Sequence, residues 1–253
     1  MRVEPVLRQI GCVTWNIHRA RGLDGVIDPE RVGRVLAQDV CPMGSHQILA
    51  LQEADTETPP HAGILDLDRI EAATGLRHVH RDPAMRWGEQ SHGFLGAILF
   101  LHPDFEILAQ DVLDLPGHCH RGAVVTEALH AGIALRIVTT HMSLSQPLRV
   151  VQMRIIGQYL RRRPEMQTIL LGDLNEWRPW GGLALSRRTV GVSLRGPVRP
   201  TFPAKRPILP LDRILSDRPG AVTDVRSIDT PGIRAASDHL PLSARVRVGS
   251  DPV

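Results

Sequence analysis

Lysine is almost missing from this chain: of 30 basic residues only Lys205 is a lysine, and the rest are arginine. Arginine is the better bidentate partner for phosphate, although a genome-wide codon bias accounts for the skew more economically. Cysteine is scarce as well. Cys12, Cys41 and Cys119 are too few and too scattered for a disulfide framework or a zinc site. Aromatics make up only 4%, which leaves little material for a groove that stacks single-stranded bases. The formal charge of +3 falls short of the electrostatic footprint of a dedicated nucleic-acid binder. No apolar run is long enough to span a bilayer. Met1 to Arg8 mixes charge and proline where a secretory signal would carry an apolar core. These absences lead us to expect a reduced, cytoplasmic protein with no transmembrane segment and no obligate protein partner.

What is present is ordinary globular material. Hydrophobic and charged fractions of 42% and 23% over 253 residues suffice for one large core. No repeat, low-complexity tract or composition shift marks a linker. One domain over 1–253, with its core at about 10–247, is the simpler expectation.

The stretch Ile169-Leu170-Leu171-Gly172-Asp173-Leu174-Asn175 organises the rest. A short bounded apolar run reads as a buried strand, and its end sets Asp173 and Asn175 at a sheet rim, where open α/β folds place ligands. Both residues also favour turns, so this stretch alone decides nothing.

Similar strand ends recur along the chain. Ile10 to Trp15 reads as a strand ending in Asn16. Arg19 to Val26 reads as a loop, and a helix starts with Asp28 as N-cap and Pro29 at its first position. Ile48 to Leu51 is a second buried strand, ending in Gln52-Glu53, so the order is βαβ-like. Spacing predicts a helix over Ile64 to Ala73 with Gly75 as its stop. Strands follow over Phe94 to Phe100, Phe105 to Val112, Ala123 to Leu129 and Ile133 to Thr140, with a hairpin at His130-Ala131-Gly132. A helix over Pro147 to Leu160 would bury Leu148, Val151, Ile155 and Tyr159, and its Arg161-Arg162-Arg163 end complements the helix dipole. A short helix near Gly181 to Ser186, a loop to Lys205 and strands over Ile208 to Leu215, Ala221 to Ile228 and Leu240 to Val248 complete the pattern.

Several of these apolar boundaries carry a side chain that is costly to bury and useful in phosphoryl chemistry. They are Asn16, Glu53, His141, Asp173, Asn175, Asp212, Asp238 and His239. Singly, each has an ordinary structural explanation; jointly they do not. Trp15-Asn16-Ile17, Leu51-Gln52-Glu53, Thr140-His141, Gly172-Asp173-Leu174-Asn175, Leu211-Asp212-Arg213-Ile214 and Ser237-Asp238-His239-Leu240-Pro241 resemble the endonuclease/exonuclease/phosphatase superfamily, in the family's order. That superfamily includes exonuclease III-like and pancreatic deoxyribonuclease-like nucleases, inositol-polyphosphate phosphatases and bacterial sphingomyelinases. The chain is similar to its compact bacterial branch.

The resemblance implies a four-layer α/β/β/α sandwich and metal-dependent hydrolysis of a phosphoester, with Mg²⁺ as the usual ion and Mn²⁺ as its substitute. It implies Glu53 as the main metal-ligating carboxylate, with Asn16 beside it and Asp238 completing the shell. Asp173 would orient or deprotonate the attacking water, Asn175 and His141 would contact phosphate oxygens, and His239 would meet the phosphate with Asp212 behind it. Whether Asp173 or His239 is the base is open from sequence. Arg121 occupies a position where relatives bind phosphate; a loop charge is the plainer reading.

The chain departs from its relatives in two places. His18 stands where nucleases often carry an acid or amide, and Leu95-Gly96-Ala97 stands where many carry glycine-asparagine. Thr201-Phe202-Pro203 with Lys205-Arg206 resembles a segment bordering the substrate, while His118 and His120 have no assigned role. Three substrate readings stay open: a nuclease or other phosphodiesterase, a phosphatase or phospholipase on a small or lipid phosphoester, and a catalytically degenerate binding module.

Overall fold

The computed structural model describes residues 8–117 and 121–249, so His118, Cys119 and His120 lie outside the described residues. Strand β1 (Arg8–Asn16) and strand β2 (Ile48–Gln52) run parallel, joined through helix α1 (Pro29–Val35). The Asp28 carboxylate accepts the Arg31 N–H and Pro29 opens the helix, as the sequence predicts. The helix then widens into a π turn over Leu36–Val40, which periodicity does not signal.

Helix α2 (Leu67–Thr74) begins later than the spacing predicts, because the Asp66 carboxylate caps the Arg69 N–H; Gly75 ends it in the left-handed region. Two short strands follow, β3 (Arg77–His78) and β4 (Ile98–Leu101). The strand expected from Phe94 is therefore truncated. Phe94 and Ala97 bond each other across a turn in which Leu95 and Gly96 take φ of 51° and 79°.

Next come β5 (Phe105–Leu115), β6 (Arg121–His130) and β7 (Ile133–His141), an antiparallel meander. The hairpin turn expected at His130-Ala131-Gly132 narrows to Ala131 and Gly132, both with positive φ, because His130 stays in β6. Helix α3 (Gln146–Arg161) crosses to β8 (Gln167–Asp173), parallel to β7. The chain closes with α4 (Arg187–Val190), β9 (Asp212–Ser216), β10 (Val222–Ser227), α5 (Pro231–Ala236) and β11 (Leu242–Val248).

Three further expectations need correction. The helix expected at Gly181 to Ser186 sits one turn later, because the Ser186 side chain caps the Thr189 N–H. The strand expected from Ile208 starts only at Asp212, since Leu209 pairs with Phe202 instead of the sheet. Helix α3 turns a different face inward: Arg149, Gln152, Met153, Ile156 and Leu160 are buried, while Val151 is 43% exposed. Arg149 donates to the carbonyls of Ser143 and Leu144, and Gln152 donates to that of Pro116. A polar side chain that bonds backbone carbonyls can be buried, and that rotates the stripe away from the purely apolar one.

The strands form a six-stranded sheet, ordered β10-β11-β1-β2-β4-β3, and a five-stranded sheet, ordered β5-β6-β7-β8-β9. Both are mixed. Ile10, Cys12, Ile48 and Ala50 of the first sheet pack against Leu135, Ile137, Ile169 and Leu171 of the second. On the far side of the six-stranded sheet, Val13, Trp15 and Leu49 meet Val32, Leu36, Ile70 and Ile233 of the helical layer. On the far side of the five-stranded sheet, Val138 and Leu170 meet Met153 and Ile156 of α3. The result is the α/β/β/α sandwich.

Candidate active site

Strand parity aims the site. Alternate residues share a face, so Ile10 and Cys12 put Thr14 and Asn16 between the sheets. Ile48 and Ala50 do the same for Gln52, Leu135 and Ile137 for Thr139 and His141, and Ile169 and Leu171 for Asp173. The face between the sheets is apolar at its middle and becomes polar at the C-terminal ends of all four parallel strands. A transitional layer joins the two zones: the Thr14 hydroxyl donates to Gln52 Oε1 at 3.1 Å, and Gln52 Nε2 donates to Thr139 Oγ1 at 3.4 Å, linking the sheets.

Above that layer the site residues converge. Asn16 Nδ2 donates both to Asp173 Oδ2 at 3.0 Å and to Glu53 Oε1 at 3.2 Å, so one amide spans the two sheets. The Asn16 oxygen accepts the His18 N–H at 2.9 Å. Asp173 Oδ1 accepts the Asn175 N–H at 3.0 Å, an Asx turn closing the strand. Asn175 Nδ2 donates to the Met142 carbonyl at 2.9 Å and lies 3.2 Å from His141 Nε2. Gly172 is required here, since a Cβ at that position would lie 2.0 Å from the Thr140 carbonyl oxygen.

His239 enters from the loop before β11. Its carbonyl accepts the Trp15 indole N–H at 2.9 Å, and its own N–H donates to Ser237 Oγ, whose hydroxyl donates to the Asn16 carbonyl at 2.7 Å. Those bonds tie the loop to the end of β1. His239 Nδ1 lies 2.9 Å from Asp212 Oδ2, which also accepts the Thr201 hydroxyl at 2.6 Å. On its other side His239 Nε2 is 3.8 Å from Asp173 Oδ2. Burial opposes charging the ring, but the carboxylates of Asp212 and Asp173 outweigh it and push His239 up to about 10. His141 also faces carboxylates, Asp173 at 3.4 Å and Glu53 at 3.9 Å, but burial, with Arg121 nearby, outweighs them and holds it neutral, at about 3.

Glu53 sits just past β2 with φ of 56°, and the His18-Arg19-Ala20 turn beside it is left-handed throughout, with φ of 49°, 50° and 58°. Such conformations are costly for residues other than glycine and gather at functional sites. The turn brings Arg19 onto Glu53, NH1 to Oε2 at 2.6 Å, with Asp55 at 3.8 Å. Burial pushes the Asp55 carboxyl up to about 6, against the pull of Arg19 and His61. Asp238 faces the same cavity, 3.6 Å from His18 Nδ1.

All nine residues that the sequence singles out are gathered at this end of the sandwich. Eight line one cavity of about 640 Å³: Asn16, Glu53, Arg121, His141, Asp173, Asn175, Asp238 and His239. The ninth, Asp212, stands behind His239, fully buried. Sequence reasoning missed Arg19, Asp55 and Trp177, which also line the cavity, and gave Thr201 no bond to Asp212. Arg19 belongs to a loop whose shape depends on left-handed residues, and nothing in its side chains announces that.

Asp173, Asp212 and His239 offer ligand atoms within 4.8 Å of one another, a grouping able to hold a metal. Asp212 Oδ2 is already committed to Thr201 and His239, however, and Mg²⁺ prefers hard oxygen donors over imidazole. Glu53 and Asp238 also face the cavity and are partly exposed, with Glu53 bonded to Asn16 and Arg19.

A model of the Endonuclease/Exonuclease/phosphatase family matches residues 13–239. No curated protein sequence matches the chain. Among solved structures it is similar to an endonuclease/exonuclease/phosphatase from Beutenbergia cavernae, 20% identical, TM-score 0.64, over 97% of this chain and 73% of that one. It is similar to truncated Caenorhabditis elegans TDP2, 18% identical, TM-score 0.66, over 96% of this chain and 98% of that one. A third likeness is to the human Nocturnin catalytic domain with bound sulfate anion, 19% identical, TM-score 0.65, over 98% of each chain. At these identities the structures establish the fold.

Proposed function

The chain belongs to the endonuclease/exonuclease/phosphatase family, whose members hydrolyse phosphoesters, and on that premise we propose that it is a Mg²⁺-dependent phosphodiesterase. One observation carries the reading: the Asn16 amide holds Glu53 and Asp173 together, which joins a metal side to a water side. We read 1–253, with its core at about 10–247, as one catalytic domain.

The residues present fit a divalent cation. The cavity lining holds five carboxylates, Glu53, Asp55, Glu57, Asp173 and Asp238, against three guanidiniums, Arg19, Arg21 and Arg121. Glu53 and Asp238 would hold the ion, with Asn16 fixing Glu53. When bound, a cation there supplies charge against the phosphoryl oxygens and lowers the pKa of a coordinated water.

The remaining chemistry belongs to the chain. Asp173, held at both oxygens by Asn16 and Asn175, is placed to orient the attacking water and accept its proton. His239, with a carboxylate at each ring nitrogen, is the cationic partner and donates towards the phosphate oxygens. Asp212 fixes its orientation. The neutral His141 and the Asn175 amide are the polar contacts for a non-bridging oxygen, and Arg121 is a further charge for it. The test is hydrolysis of an activated phosphodiester by the parent protein, Asp173→Asn and His239→Ala in Mg²⁺ and in chelator. Parent-like turnover in either variant would remove these assignments.

A further inference from the structure

The cavity contains more than its phosphate chemistry. On the reading that this is a phosphodiesterase site, we propose that its substrate carries an apolar group beside a single phosphate, and that this group lies against a wall built on Trp177 and Leu144. The inference rests on three independent observations: the charge of the cavity, the character of its wall, and the structure beneath that wall.

Charge comes first. Counting carboxylates and guanidiniums alone, the lining holds five against three, and a divalent cation brings those groups to neutrality. That balance suits one singly charged phosphodiester. A nucleic-acid strand presents successive phosphates and needs a basic track to follow, and of the three guanidiniums Arg19 is already spent on Glu53 and Asp55.

The wall comes second. Ile27, Leu144 and Trp177 line the cavity while being 55%, 78% and 47% exposed. They stand on three separate loops, and Ile64, Phe202 and Leu209 line the same cavity. Scattered exposed apolar residues mean little, but several lining one cavity mark a binding surface.

The third observation separates this wall from chance exposure. The Arg178 guanidinium covers the Trp177 ring at 4.5 Å and is itself bonded to Glu176 Oε1 at 2.9 Å and Gln146 Oε1 at 2.6 Å. Glu176 is wholly buried, with Arg149 at 3.6 Å, and Arg213 donates to the carbonyls of Glu176 and Arg178. A buried charge cluster is costly unless well satisfied, and this one leaves Glu176 Oε2, Arg149 Nε and Arg213 Nε without hydrogen-bond partners while still bonding the 176–178 backbone and Arg178. Here it fixes the backbone and cation that present an exposed indole to the cavity. Holding that side chain in one orientation removes the entropy a ligand would otherwise lose on binding it.

The test uses inert ligands, so it does not depend on turnover. Binding of n-alkyl(methyl)phosphinates, methyl to hexyl, is measured by calorimetry with Mg²⁺ present. These are monoanions with no ester bond to cleave. Affinity is expected to rise about fourfold per added methylene. In Trp177→Ala and Leu144→Ser, both exposed positions, that slope should flatten while the methyl member binds as before. A flat series in the parent protein, or an unchanged slope in both variants, overturns the inference. Hydrolysis assays then separate the sources: phosphatidylcholine vesicles against soluble bis(4-nitrophenyl) phosphate, with plasmid DNA alongside. DNA cut with a higher kcat/KM than the aryl diester overturns the inference. An intact slope with no hydrolysis of any substrate keeps the wall and sinks the proposed reaction instead.

Discussion

The β1–α1–β2 unit ends in a carboxylate that faces open cavity, whereas the β7–α3–β8 unit ends in groups that are almost sealed. The Glu53 side chain is 15% exposed, against 5% for His141 and 2% for Asp173. Both units are parallel pairs with a crossover helix, and both turn polar where their strands end. They differ in how the backbone leaves the sheet. The first exits through left-handed residues at His18 to Ala20 and at Glu53, which swings functional groups outward, while the second has one such residue, Asn175, two positions past β8. The second keeps its residues in register up to His141 and Asp173, so the ladder itself positions them. An exposed oxygen suits an ion that keeps some of its waters; a buried one suits a group that must hold a single water in one orientation. Under the proposed function, the first unit carries metal affinity and the second carries turnover.

The largest effect that can break this assignment is at Asp173. Asp173→Asn keeps the shape and should lower kcat on an activated phosphodiester by about 10³-fold, with little change in Tm. An equal loss of affinity for Mg²⁺ would erase the distinction between the units. Glu53→Gln should act the other way. The Mg²⁺ concentration for half-maximal activity should rise at least about tenfold, with calorimetry confirming weaker binding of the ion itself.

Those two residues also show how much was legible beforehand. Asp173, Glu53 and the other strand-end residues could be found because strands end abruptly and polar groups at apolar boundaries stand out. The family resemblance supplied the layering. Arg19 could not be found, because its position depends on backbone conformations that its sequence neighbours do not favour. The buried face of α3 was misread because Arg149 and Gln152 go inward to bond carbonyls, and a hydrophobic pattern counts them as surface. Trp177 was missed for a related reason: its role comes from the charge cluster beneath it, assembled from residues far apart in sequence.

The two sheets should also respond differently to acid. Burial lowers His46 and His78 to about 4 and His80 to about 3 on the six-stranded side, three groups against His141, at about 3, and the partly exposed His130 on the five-stranded side. Their native pKa values lie below the ordinary 6.5, so the unfolded chain binds protons first as pH falls. Stability from these groups is full above about 6.5 and is lost progressively down to about 3. Hydrogen exchange between pH 7 and 4 should show protection falling first in β2, β3 and β4. Loss beginning in β6 and β7 would contradict this.

The smallest expected effect concerns the crossover helices. Helix α1 is seven residues long and capped by Asp28, so Asp28→Ala should cost about 1 kcal/mol in denaturant unfolding. Helix α3 spans sixteen residues, and its Ser145 makes no side-chain capping bond, so Ser145→Ala should be close to neutral. Equal losses would mean that α1 is held by its packing alone.

The most direct test of the central claim is the rate of bis(4-nitrophenyl) phosphate hydrolysis by the parent protein as Mg²⁺ is removed and returned. Turnover is expected in Mg²⁺, with its loss in excess chelator and full recovery when the ion is restored, and Asp173→Asn is expected to be inactive throughout. Turnover that persists unchanged in chelator, or that survives in Asp173→Asn, would contradict a site divided between a metal-holding strand pair and a water-holding one.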